Sequence, residues 1–217
     1  MTTTHQDLRR EGARHLVRVD ERLARLIEQI GPCRLPRRRG RYASLVRAIV
    51  GQQVSTGAAR AVYARLRAAA GGYISPERLA ALDGSALRTC GLSKQKCTYV
   101  RDLTGRVLDG RLRLDALPRM SDEAVAVRLT AVAGIGPWSV DMFLMFVLNR
   151  PDVLPVGDLG IRNGFVRVFG LRKPPTPERM RQLAEPWRPY RTVASWYLWR
   201  SLELTDPAAA GNGRRRA

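Results

Sequence analysis

The chain has 217 residues, 45% of them hydrophobic, which allows one sizeable core or two small lobes and argues against a disordered chain. It carries 38 Lys and Arg against 19 Asp and Glu, a net charge of +19, and all but Lys94, Lys96 and Lys173 of the basic residues are arginine. Such a field attracts polyanions, so nucleic acid is the expected partner; no membrane is expected, because no apolar run approaches the roughly 20 residues of a bilayer span.

Residues 7–30 place apolar side chains at Leu16, Val19, Leu23, Leu26, Ile27 and Ile30, the spacing of one amphipathic helix ended by Gly31-Pro32. The run Arg34-Leu35-Pro36-Arg37-Arg38-Arg39-Gly40-Arg41 is a basic loop, either simply solvated or facing DNA. A helix from Tyr42 to Ile49 runs into Gly51-Gln52-Gln53-Val54-Ser55, and Ser55 is placed to cap the next one, through Ala70. Residues 76–90 fit a short helix. Ser93 then caps a longer one with Cys97, Val100, Leu103 and Val107 on its apolar face, ended by Gly110.

Ser121, with Asp122 and Glu123 in the first turn, opens a helix that stops at Gly134. The hairpin Gly134-Ile135-Gly136-Pro137 follows, then a second helix from about Trp138 to Leu148. Glycine can take the positive φ of a helix terminus, and Pro137 suits a first turn, where no N–H is required. Amides at the start of the second helix form a site for a phosphate, though an ordinary αα-corner would look the same. Beyond a loop ending at Asp158, a further helix carries Ile161, Phe165 and Val168 to about Gly170. A stiff Lys173–Pro177 connector leads to a helix over 178–184 and a last helical stretch from Trp187 to Leu202. No segment has a strand period.

The expected fold is therefore all-α, two helical lobes flanking a cleft, with a helix-hairpin-helix motif at about 121–148. The expected division is a central lobe over about 42–150 and a second lobe formed by 1–41 with 151–205. Residues 206–217 read as a mobile basic tail. The opening MTTTHQDLRREG has charges and no apolar core, so it does not read as a signal peptide. The chain is expected to be a monomer in the cytoplasm, associated with the nucleoid.

LxxVAGIGPWS followed about twenty residues later by VGD resembles the signature of the helix-hairpin-helix DNA glycosylase superfamily. Trp138 after the hairpin is most similar to the 3-methyladenine DNA glycosylase II branch. RAIVGQQVS (Arg47–Ser55), GLSKQK (Gly91–Lys96) and WRPYRTVASWYLW (Trp187–Trp199) extend the resemblance over roughly residues 40–200. It implies excision of alkylated bases such as 3-methyladenine from damaged double-stranded DNA, with Asp158 as the catalytic carboxylate. Trp138, Trp199, Met142 and Leu159 would form the base pocket. Gln52, Gln53 and the hairpin residues Gly134, Ile135, Gly136 and Trp138 would bind DNA, with Gln53 as the wedge that fills the gap left by an extruded base. The carbonyls of Thr130, Val132 and Ile135 would hold a monovalent cation, not needed for the chemistry; no cofactor is otherwise implied.

Inventory narrows the branch. Three scattered cysteines, Cys33, Cys90 and Cys97, make neither a disulfide framework nor a metal knuckle, and none follows Cys97, so the iron–sulfur cluster branch is excluded. Two histidines, His5 and His15, leave no core Ser-His-Asp triad. In bifunctional relatives a lysine occupies the position of Trp138 and attacks the sugar; tryptophan has no amine, so a monofunctional enzyme that leaves an abasic site is expected. Taken alone, Asp158 before Leu-Gly-Ile-Arg is a good helix N-cap, a role compatible with catalysis. Asp141 reads as structural, paired with an arginine. The other readings are a non-catalytic DNA-binding module, and a glycosylase for another lesion such as uracil or hypoxanthine.

Overall fold

In the computed structural model, which describes residues 5–204, every regular element is helical. Twelve α-helices run in order: α1 His5–Val19, α2 Glu21–Ile30, α3 Arg41–Gly51, α4 Thr56–Ala69, α5 Pro76–Ala80, α6 Gly84–Thr89, α7 Lys94–Leu108, α8 Asp122–Thr130, α9 Pro137–Phe143, α10 Leu159–Phe169, α11 Pro177–Leu183 and α12 Arg191–Ser201. No described helix is long and apolar enough to cross a membrane. The expected tail at 206–217 lies outside the described residues.

Local capping explains most boundaries. Ser55, Ser75, Asp83, Ser93, Ser121, Asp158 and Thr176 each accept a hydrogen bond from a first-turn N–H of the helix they precede. Capping also breaks two of the expected continuous helices, and two more differ at their ends. The stretch 7–30 is two helices, because Asp20 turns extended (φ −149°) and its carboxylate caps Arg22 and Leu23. The stretch 76–90 divides at Asp83, whose Oδ1 accepts from Ala86 N–H at 2.7 Å. The helix before the hairpin ends at Thr130, and residues 131–134 are turn. The last stretch is two elements, the 3₁₀ turn Glu185–Trp187 and α12 from Arg191, with Pro189, which has no N–H to donate, between them. The helix after the hairpin finishes in a π-helical turn, Leu144–Leu148.

The chain divides into two compact units. Among the described residues, one joins 5–37 with 149–204; the other is Arg38–Leu148. In the first, α10 and α12 lie closest together, and α1 and α2 close over α12. Its core holds Leu16, Leu23, Leu35, Phe165, Trp187 and Tyr197, all fully buried, with Trp187 stacked on Phe165 at 5.4 Å. Trp187 Nε1 donates to Asp20 Oδ2 at 2.9 Å, so the carboxylate that breaks the N-terminal helix also satisfies a buried indole. In the second unit α7 packs on α3, α5 and α6, and α3 also meets α4 and α9. Its core is aliphatic, with Leu45, Ile49, Leu66, Leu87, Leu103 and Leu129 all at most 1% exposed.

Candidate active site

In the first unit the site centres on Asp158. Its N–H donates to the Pro155 carbonyl at 2.9 Å, turning the chain into α10, and its Oδ1 accepts from Ile161 N–H at 2.8 Å. The same oxygen accepts from the indole Nε1 of Trp199, on α12, at 2.8 Å. Two donors on one oxygen fix the carboxylate's orientation. Gly160 provides the room: a Cβ there would lie 2.8 Å from Trp199 Cδ1 and 3.0 Å from Asp158 Oδ1. One turn on, a Cβ at Gly164 would lie 2.8 Å from the Leu198 carbonyl oxygen. These two glycines share a face of α10 and let α12 approach closely enough for Trp199 to reach Asp158.

The loop that carries Asp158 is fastened to the same helix. Thr192 Oγ1 accepts from Val153 N–H at 3.0 Å and donates to the Arg150 carbonyl at 2.7 Å, and Ser195 Oγ donates to the Val153 carbonyl at 3.4 Å. Arg191 grips Asp152 through Nε at 2.6 Å and Nη2 at 3.0 Å, and Arg188 adds a contact at 3.1 Å. Thr192, Ser195 and Trp199 are spaced i, i+3, i+7, so one face of α12 positions both the loop and the carboxylate. Leu159, expected in the pocket, is 67% exposed just after Asp158, and Trp199 is half-buried. Trp187 and Trp196 are buried.

The remaining expected residues lie in the second unit. The hairpin turn is held from beneath: Asp102 Oδ2 accepts from Ala133 N–H at 2.8 Å, and Arg106 pairs with the same carboxylate at 2.9 Å. Gly134 has φ +81° and lies against the Tyr99 ring, so it meets both demands that only glycine meets. Gln52 Nε2 donates to the Gly134 carbonyl at 2.6 Å. The Ile135 N–H donates to the Val132 carbonyl at 3.1 Å and closes the turn. Beyond it α9 begins with no side-chain cap on its first turn, and Trp138 there is 45% exposed. Met142, half-buried, follows at i+4 on the same face; Asp141 is also half-buried.

The two glutamines differ. Gln52 is half-buried and braces the hairpin, whereas Gln53 is exposed at the tip of the α3–α4 connection with a left-handed φ of 54°. Lys96 holds this tip: its ammonium donates to the carbonyls of Val50 and Gln52, each at 2.7 Å, and burial lowers its pKa. This clamp escaped the sequence reading. Its available signal was two of the chain's three lysines, Lys94 and Lys96, falling in one helix start of an arginine-rich protein. A compact ammonium with three donors suits two converging carbonyls better than a planar guanidinium does.

For metals, the described residues contain no group of three or more His, Cys, Asp or Glu arranged to hold one. The carbonyls of Thr130, Val132 and Ile135 belong to the turn between α8 and α9. Neutral hard oxygens suit a hard cation, and the Val132 carbonyl keeps a second lone pair beyond its bond from Ile135. The three cysteines are buried free thiols, and burial pushes Cys33 up to about 11.

The model of the HhH-GPD superfamily base excision DNA repair proteins matches residues 46–189, which hold Gln52, Gln53, the Lys96 clamp, the hairpin and Asp158. The chain belongs to this superfamily. DNA-3-methyladenine glycosylase 1 of Schizosaccharomyces pombe is 35% identical over 198 residues, 88% of this chain and 87% of that protein. The structure of the S. pombe 3-methyladenine DNA glycosylase in complex with abasic DNA matches with a TM-score of 0.80 at 34% identity, covering 90% of this chain and 98% of that one. A DNA-3-methyladenine glycosidase from Bacillus halodurans matches with a TM-score of 0.82 at 37% identity, covering 92% and 91%. Within this HhH-GPD chain the part of α12 that includes Trp199 lies beyond the matched span, yet it supplies the indole that orients Asp158.

Proposed function

We propose that this HhH-GPD protein is a monofunctional DNA glycosylase that hydrolyses the N-glycosidic bond of alkylated bases, 3-methyladenine among them, and leaves an abasic site in uncut double-stranded DNA. The observation that carries the reading is the Asp158 carboxylate, oriented by Ile161 N–H and Trp199 Nε1 in a chain of the base-excision superfamily. The names of its S. pombe and B. halodurans relatives support the substrate class.

Departure of the base leaves a sugar with oxocarbenium character, and a fixed carboxylate stabilises that developing charge without reorganising. Asp158 has this role, together with orienting the attacking water. An N-alkylated purine is cationic and already a good leaving group, so little general-acid machinery is needed. The base reaches its pocket by flipping out of the stack, and an electron-rich indole face attracts it there. Trp138, exposed on α9 with Met142 one turn on, offers such a face in the second unit, and Trp199, with Leu159 at the start of α10, offers one in the first. Gln53, exposed at its loop tip, serves as the wedge. The hairpin and Gln52 serve the DNA backbone, and the carbonyls of Thr130, Val132 and Ile135 would hold a monovalent cation, whose charge would favour the DNA backbone there. The protein acts as a monomer at the nucleoid. Trp138 offers no amine for a Schiff base, so no lyase step follows.

The test is incubation with methylated duplex DNA. Free methylated adenine should appear, strands should break only after alkali, and borohydride should trap no protein–DNA adduct. Strand scission without alkali, accompanied by a trapped adduct, would overturn the monofunctional assignment.

A further inference from the structure

The second unit carries a surface that neither the hairpin nor the wedge loop accounts for. Residues 38–76 contain seven arginines and no Asp or Glu. Two adjoining clefts of about 410 and 260 Å³ share Arg47 and Tyr63 on α3 and α4, and Arg38, Arg39, Arg60 and Arg67 complete their basic lining. Arg47 lies over the Tyr63 ring at 4.1 Å. On α4, Arg60, Tyr63 and Arg67 are spaced i, i+3, i+7 and share one face, so the positive stripe follows that helix for two turns, about 10 Å at the usual rise. Among the described residues none of these five arginines forms an ion pair, whereas Arg106, Arg113, Arg181 and Arg191 do. Burial and the neighbouring Arg47 both lower the pKa of Arg38. Like charges gathered without a carboxylate cost free energy unless an anion joins them, and their guanidinium forks match phosphate oxygens.

We propose that the α3–α4 arginine groove is a second DNA-backbone contact, seating phosphodiesters that run on from the wedge loop between these helices. The partner is a polyanion because the stripe is long and uniformly basic, and it is nucleic acid because the proposed function brings DNA to the loop joining the same two helices. The proposal rests on that function only for the identity of the polyanion.

The test uses the full chain and an undamaged duplex, which needs no chemistry. The probe pair is Arg39→Gln with Arg60→Gln, two exposed side chains that make no hydrogen bond or ion pair in the structure. The control pair, Arg113→Gln with Arg181→Gln, removes the same charge from arginines already paired with Asp115 and Glu178. Affinity is measured against salt concentration. Each lost phosphate contact lowers the log–log slope by about 0.9, so the groove pair should lose about 2 and the control nothing. Equal slopes for wild type and groove pair, or an equal loss in the control, would overturn the proposal. Release of methylated base by the control pair should match wild type. If wild type releases no base while the groove slope still falls, the glycosylase reading fails and the groove stands. If base is released and the slope does not move, the converse holds.

Discussion

The indole Nε1 of Trp199 donates to Asp158 Oδ1 at 2.8 Å, joining α12 to the N-cap of α10 across 41 positions of sequence. Trp199 is thus a positioning residue for the carboxylate as well as a candidate face for the flipped base. Trp199→Phe keeps an aromatic ring and removes only the donor. Losing one charge-assisted hydrogen bond of about 1.5–3 kcal/mol should slow single-turnover base release by about 10- to 100-fold. Affinity for abasic duplex should stay near wild type. An unchanged rate would remove Trp199 from the positioning role.

Gly160 leaves no space for a methyl group. Gly160→Ala would place Cβ against Trp199 and Asp158, at 2.8 and 3.0 Å, and one of the two must move. Overpacking of this kind costs about 1–3 kcal/mol, so the melting temperature and the rate of base release should both fall. Gly157→Ala, with nothing within 4 Å and no positive φ, should leave both unchanged. Equal behaviour of the two variants in a thermal melt and a single-turnover assay would contradict this packing account.

Lys96 should matter to the loop between α3 and α4. Lys96→Met removes both donors to the Val50 and Gln52 carbonyls. Loss of charged hydrogen bonds of this kind predicts destabilisation by about 2–3 kcal/mol and increased hydrogen exchange in residues 51–55. Exchange that stays at the wild-type level there would show that the clamp is dispensable.

The glutamines should separate stability from activity. Gln53→Gly relieves a left-handed residue, so stability should hold or rise by up to about 1 kcal/mol, while base release slows as the wedge is lost. Gln52→Ala removes the brace on the Gly134 carbonyl and should lower the melting temperature. Melting curves beside release rates check both, and a Gln53→Gly variant of full activity would end the wedge assignment.

The parts of this architecture that are written locally were readable in advance. Ser55, Ser93 and Ser121 announce their helices because a cap is a contact within three residues, and Gly134 with Pro137 marks the hairpin for the same reason. Asp20 was hidden because the apolar stripe continues from Leu16 to Ile30 across the break, and its second partner, Trp187, is 167 residues away. The catalytic role given to Asp158 is implied by resemblance alone, since an aspartate before a helix is first of all a cap. What orients it was not legible: Gly160 and Gly164 look like ordinary helix glycines until α12 is laid against them. Thr192 and Ser195 look like minor polar breaks in an apolar run until the loop over 149–158 needs their hydroxyls.

The most direct test of the central claim is base release by Asp158→Asn beside wild type, on methylated duplex under single-turnover conditions. Asparagine keeps an oxygen for Ile161 N–H and Trp199 Nε1, so the cap, the fold and duplex binding should persist. Only the negative charge facing the sugar is lost, and base release should fall by about 100-fold or more. Release by Asp158→Asn at the wild-type rate would contradict the assignment of Asp158, and binding without release by either protein would make the chain a DNA-binding module.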